Sequence, residues 1–126
     1  MLFRSGIARR RPDVVVTDHL AFAGGLAARR AGVPYVTLVP SADRLEGMAE
    51  TLAGSVPRLS EWLTGALDRL QSEHGLEPRR DLETAALIAM LSSPELLGRE
   101  PEAANVRFFG PALSPAPADA PGFAWD

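Results

Sequence analysis

None of the 126 residues is cysteine, which removes disulfides, thiolate nucleophiles and zinc–thiolate centres at once. Histidine is nearly as scarce. His19 and His74 are the only two, and their separation gives no metal-ligand spacing, so no metal and no resident cofactor are expected. No apolar run approaches the ~20 residues of a transmembrane helix, and the N-terminus lacks the apolar stretch of a secretory signal. A cytoplasmic protein is the expectation. Excess charge is small too: a net −3 gives no electrostatic reason to expect nucleic acid or an anionic membrane as partner. Arg9-Arg10-Arg11 is a short basic run ended at once by Pro12-Asp13, and it reads as a solvated helix end.

What is present suits one small globular domain, with 46% apolar and 23% charged residues. Residues 1–5 neither cap nor lead into a recognisable element and are read as a non-native scar, to be left out of fold reasoning. The domain then runs over residues 6–113. Residues 114–126, SPAPADAPGFAWD, begin as an extended, semi-rigid Pro/Ala linker.

Residues 6–11 read as a helix end stopped by Pro12. Residues 14–17, VVVT, form a β-branched run without polar alternation, as a parallel strand covered on both faces requires. An Ala/Gly/Arg-rich helix follows over residues 19–31, with Arg29-Arg30 in its last turn and Gly32 placed as its C-cap. Residues 33–39, VPYVTLV, are a second strand, with Pro34 near its beginning. Together they make a strand–helix–strand unit whose crossover is expected to be right-handed. Residues 42–56 read as a loop with a short helix. Leu59, Trp62, Leu63, Ala66, Leu67 and Leu70 recur at helical spacing, so Trp62 is expected in the core and Gly75 ends that helix. Residues 81–91 are ambiguous: DLETAA has helical propensity, whereas ALIAML suits a buried strand, and strand is preferred at 86–91. Residues 105–109, NVRFF, are a further strand. The fold class is α/β, a Rossmann-like parallel sheet flanked by helices.

Ligands of open α/β sheets bind beyond the carboxyl ends of the strands. Asp18 and Ser41 follow the two strands of the unit, one at each such end. Asp18 admits two compatible readings. It caps the next helix by accepting backbone N–H groups, or it stands ionised at the cleft, ready to hold a cation or a polarised histidine. His19 is adjacent, but neighbours at such a junction usually point apart, so no Asp–His dyad is read. Residues 18–22, with His19 and Phe22, and the 41–48 loop, with Ser41, are candidate acceptor contacts, with Phe22 equally suited to the core. No glycine-rich phosphate loop follows any strand, because Gly24-Gly25 falls inside the helix.

PDVVVTD (12–18), the Ala/Gly-rich helix, AGVPYVTLVPS (31–41), SSPELL (92–97), NVRFFGPAL (105–113) and PGFAWD (121–126) resemble, in order and spacing, the acceptor domain of GT-B glycosyltransferases. The likeness is to the nucleotide-diphosphate-sugar-dependent group acting on macrolides, carotenoids and other lipophilic secondary metabolites. It spans residues 11–126. The resemblance implies the C-terminal part of an N-terminal acceptor domain, ending in an interdomain linker. It also implies UDP-glycosyltransferase-like hexosyl transfer onto the hydroxyl of a lipophilic small molecule. In that group an acid at the position of Asp18 stands behind a histidine of the first strand-to-helix loop. That histidine takes the acceptor's proton, and it has no counterpart here. His19 does not replace it. The donor domain is expected to follow in cis, with the sugar nucleotide as co-substrate rather than cofactor, and the chain alone is expected to be inactive. A parallel sheet without its first strands would also expose an edge and an apolar face. Two other readings stay open: another α/β nucleotide-binding enzyme domain, and a non-catalytic interaction module.

Overall fold

The computed structural model describes residues 2–40, 53–98, 100–101 and 103–110. Ser41, the rest of the 41–48 loop and the linker expected at 114–126 lie outside them. The first helix, α1, covers Leu2–Arg10 and so extends back through residues read as a scar. Arg11 closes it at φ 46°, the one non-glycine left-handed residue among those described, with Pro12 barring further helix. Strand β1, Val15–Asp18, follows, and α2, Phe22–Ala31, leads into β2, Tyr35–Val39. Gly32 ends α2 in the left-handed region at φ 67°, its N–H returning to the carbonyls of Ala28 and Arg29.

Residues 53–55 are helical, and the long helix α3 runs over Pro57–Glu73 with its proline in the first turn. The ambiguous stretch resolves into both alternatives. Asp81–Thr84 is a single helical turn, α4, and Leu87–Met90 is strand β3. The apolar residues at 87–90 go to the sheet because only there can they be buried on both sides. Ser93 then caps the short helix α5, Pro94–Leu97, accepting the Leu96 N–H on its hydroxyl at 3.2 Å. Strand β4 is Val106–Phe108, inside the run read at 105–109.

All four strands are parallel, in the order β1-β2-β3-β4. The class is therefore α/β with a Rossmann-like sheet. Register places Val15, Thr17, Tyr35, Thr37, Val39, Ile88, Met90 and Val106 on one face. That face is the core: Tyr35, Val39, Ile88, Met90 and Val106 form one buried cluster with Ala28 of α2 and Ala85, and Val15 and Phe108 pack against it.

The strand order corrects one expectation. β1 is not covered on both faces: Val14 is 47% and Val16 58% exposed. Val16 stands on the face opposite the core, where cover reaches the inner strand β3, whose Ala89 is buried, but not the Val16 side chain on β1. Trp62 is a second correction, because it is 63% exposed and outside the core. The expected stripe on α3 is buried only toward its C-terminal half, at Leu67 and Gln71. There Gln71 anchors the helix: its side-chain Oε1 accepts from the Arg29 guanidinium of α2 and from the Arg79 N–H, while Arg29 also donates to the Glu77 carbonyl.

No helix among the described residues is long and apolar enough to cross a membrane.

Candidate functional site

The candidate site is the turn that carries the chain from the carboxyl end of β1 into α2. β1 lies beside β2, and the ladder continues one residue past Asp18, where the His19 N–H donates to the Leu38 carbonyl at 2.9 Å. The chain then turns sharply, with the Ala21 N–H donating to the Asp18 carbonyl and the Gly24 N–H to the Ala21 carbonyl, both at 2.9 Å. Alternation along β1 sends the Asp18 side chain to the same face as Val16, away from the core.

The Asp18 carboxylate does not cap α2. That helix starts at Phe22, its N-cap is Ala21, and no side chain closes it. Instead Oδ1 accepts the Leu20 N–H at 2.8 Å, two residues on, which is an Asx turn. The cap expectation fails because the turn inserts three residues between the acid and the first helical residue. Among the described residues Oδ2 accepts no hydrogen bond, and the side chain is 49% exposed. One oxygen is thus held by the backbone and the other faces outward. A carboxylate oxygen in this position can accept a donor brought to it from outside the turn.

His19 lies closer to Asp18 than adjacency suggested. Its Nδ1 stands 3.5 Å from Asp18 Oδ1, beyond the 2.7–2.9 Å of a strong charge-assisted bond. The imidazole is buried, with 5% of its side chain exposed. It turns inward, whereas the free oxygen of Asp18 faces outward. Phe22, the first residue of α2, is half-buried. Of the four site residues expected from the sequence, the structure brings Asp18, His19 and Phe22 to one turn, and Ser41 lies outside the described residues.

Thr17 was not anticipated. Its side chain goes to the core face, and its hydroxyl donates back to the Ala21 carbonyl at 3.0 Å, with the Asp18 carbonyl at 3.3 Å. A threonine ending a β-branched strand signals only strand propensity, so this role could not be read before the turn was built.

Among the described residues no group of three His, Asp or Glu side chains could hold a metal ion.

No protein-family profile matches the chain, and no curated protein does. Solved structures do. The crystal structure of the glycotransferase of kitacinnamycin superposes with a TM-score of 0.63 at 20% identity, over 98% of this chain and 34% of that one. The glycosyltransferase VinC, solved in complex with dTDP, superposes with a TM-score of 0.57 at 22% identity, over 90% of this chain and 31% of that one. The chain thus spans about a third of the length of the glycosyltransferases it matches, and it has the fold of that part of them.

Proposed function

We propose that the chain is part of the acceptor domain of a GT-B glycosyltransferase that moves a hexose from a nucleotide-diphosphate sugar to a hydroxyl of a lipophilic small molecule. The observation that carries this reading is the half-held carboxylate of Asp18, at the strand end where such folds bind ligands. Likeness of fold to glycosyltransferases, one of them solved with a nucleoside diphosphate, supports it.

In this reading a histidine from a neighbouring strand-to-helix loop donates its ring N–H to Asp18 Oδ2. Its other nitrogen takes the proton of the acceptor hydroxyl. The oxygen attacks the anomeric carbon with inversion as the bond to the nucleoside diphosphate breaks. Asp18 holds the imidazole in the useful tautomer and offsets the positive charge that develops on it, as a second carboxylate does for a general base. Both the histidine and the donor domain belong to the remainder of a longer, cytoplasmic polypeptide. The present chain alone transfers no sugar, and turnover of a nucleotide sugar by it would refute this.

The decisive experiment recovers the flanking DNA and assays the full polypeptide with and without Asp18→Asn. Turnover should fall by about 10²- to 10⁴-fold, the range a positioned proton-transfer system supplies. Undiminished turnover in a folded Asp18→Asn enzyme removes the role assigned to the acid. Native start and stop codons around the present chain would instead favour an interaction module.

A further inference from the structure

We infer that Thr17 and Gly24 are positioning residues for Asp18, a threonine–glycine pair on the core side of β1 that sets where the carboxylate on the other side points. This deepens the reading of Asp18 above and rests on it for its functional meaning.

Thr17 and Asp18 are consecutive and project to opposite faces of the sheet. Thr17 is buried beneath α2, and its hydroxyl donates to the Ala21 carbonyl. That carbonyl belongs to the residue whose own N–H is tied to the Asp18 carbonyl, and it also receives the Gly24 N–H. The four residues from Asp18 to Ala21 are therefore pinned from both ends. His19 is held to β2, Ala21 to Asp18 and Thr17, and the Leu20 N–H is left aimed at Asp18 Oδ1. Asp18 can use that amide only while the turn keeps this shape.

Gly24 makes the arrangement sterically possible. A Cβ at position 24 would lie 2.5 Å from Thr17 Oγ1 and 3.0 Å from Thr17 Cβ. Neither atom is the end of a flexible chain, since a buried β-branched side chain has almost no rotamer to retreat to. The first turn of α2 would have to lift, carrying Ala21 and its carbonyl away from the hydroxyl. A Cβ at Gly25, the next residue, would meet first the edge of the Tyr35 ring, at 3.2 Å, rather than Thr17. The paired glycines thus divide their tasks: Gly25 lets the helix approach β2, and Gly24 lets it close on the turn that carries the acid.

If this pair merely packed the helix, loss of the hydroxyl would loosen the whole sheet rather than the turn. Amide hydrogen exchange on the full chain separates the two. In Thr17→Val the Leu20 amide should exchange about tenfold faster relative to the Ile88 and Met90 amides, which report opening of the sheet. Thr17→Ser, which keeps the hydroxyl, should leave that ratio within about twofold, and Gly24→Ala should raise it as Thr17→Val does. An unchanged ratio in Thr17→Val, or a serine variant that behaves like the valine one, overturns the inference.

A second arm uses the full polypeptide. There Thr17→Val should lower kcat by about 10-fold with little change in acceptor KM, as displacement of an orienting group does. It should have no further effect once Asp18 is Asn. Faster Leu20 exchange without any loss of turnover would overturn the assignment of Thr17 as a positioning residue for catalysis, whereas undiminished turnover in Asp18→Asn would overturn the role of the acid itself.

Discussion

At Asp18, charge and structure can be separated. The bond from the Leu20 N–H needs an oxygen at Oδ1 but no charge. Asn supplies that oxygen, so Asp18→Asn should melt within a degree or two of the parent. Asp18→Ala removes the acceptor and should cost about 1 kcal/mol, the worth of one such bond. Chemical denaturation of the two variants measures the difference. A large stability loss in Asp18→Asn would mean that the carboxylate serves the fold, and its effect on turnover could then not be read as chemistry. That an acid closes β1 was legible in PDVVVTD. Its bonding to an Asx turn rather than to a helix end was not, because the turn's length depends on where α2 can settle over Thr17.

Elements were easier to place than their faces. The β-branched runs at 14–17 and 33–39, the glycines at 32 and 75 and the prolines at 12 and 57 mark boundaries through local sterics, and the structure keeps them. Burial follows from what neighbours an element, and α3 shows the gap. Its apolar residues recur at the right spacing, yet the buried ones among its residues are Leu67 and, with it, Gln71, while Leu59 and Trp62 are exposed. Leu67→Ala should therefore cost about 2–4 kcal/mol through the cavity it leaves. Trp62→Gln should stay within about 0.5 kcal/mol, as surface changes do. Equal losses in thermal unfolding would show that the stripe packs along its whole length. The ambiguity at 81–91 has a similar origin. Helix and strand were both locally acceptable, and the sheet took the four residues it could pair with β2.

For the whole molecule the consequential feature is β1, which is an edge strand among the described residues. Val16 stands there, and an unpaired edge with an exposed apolar side chain invites pairing with another chain. The isolated chain should accordingly be marginally stable and prone to associate. Val16→Lys, a charge of the kind that natural edge strands carry, should raise the monomer fraction in gel filtration with light scattering without lowering the melting temperature. A cooperative unfolding transition of a monomeric parent chain, well above room temperature, would count against this.

The linear order of residues determined a good deal alone: an α/β class, a strand–helix–strand unit, and an acid at the carboxyl end of its first strand. These depend on side-chain branching, helical periodicity and the backbone limits of glycine and proline, which act over a few residues. Only the tertiary structure decided that, among the described residues, β1 lies at an edge and one oxygen of Asp18 accepts no hydrogen bond, and that Trp62 is outside the core and His19 turns inward. Each is a matter of which distant segment comes alongside, and contacts between residues far apart in sequence are set by packing the whole chain at once.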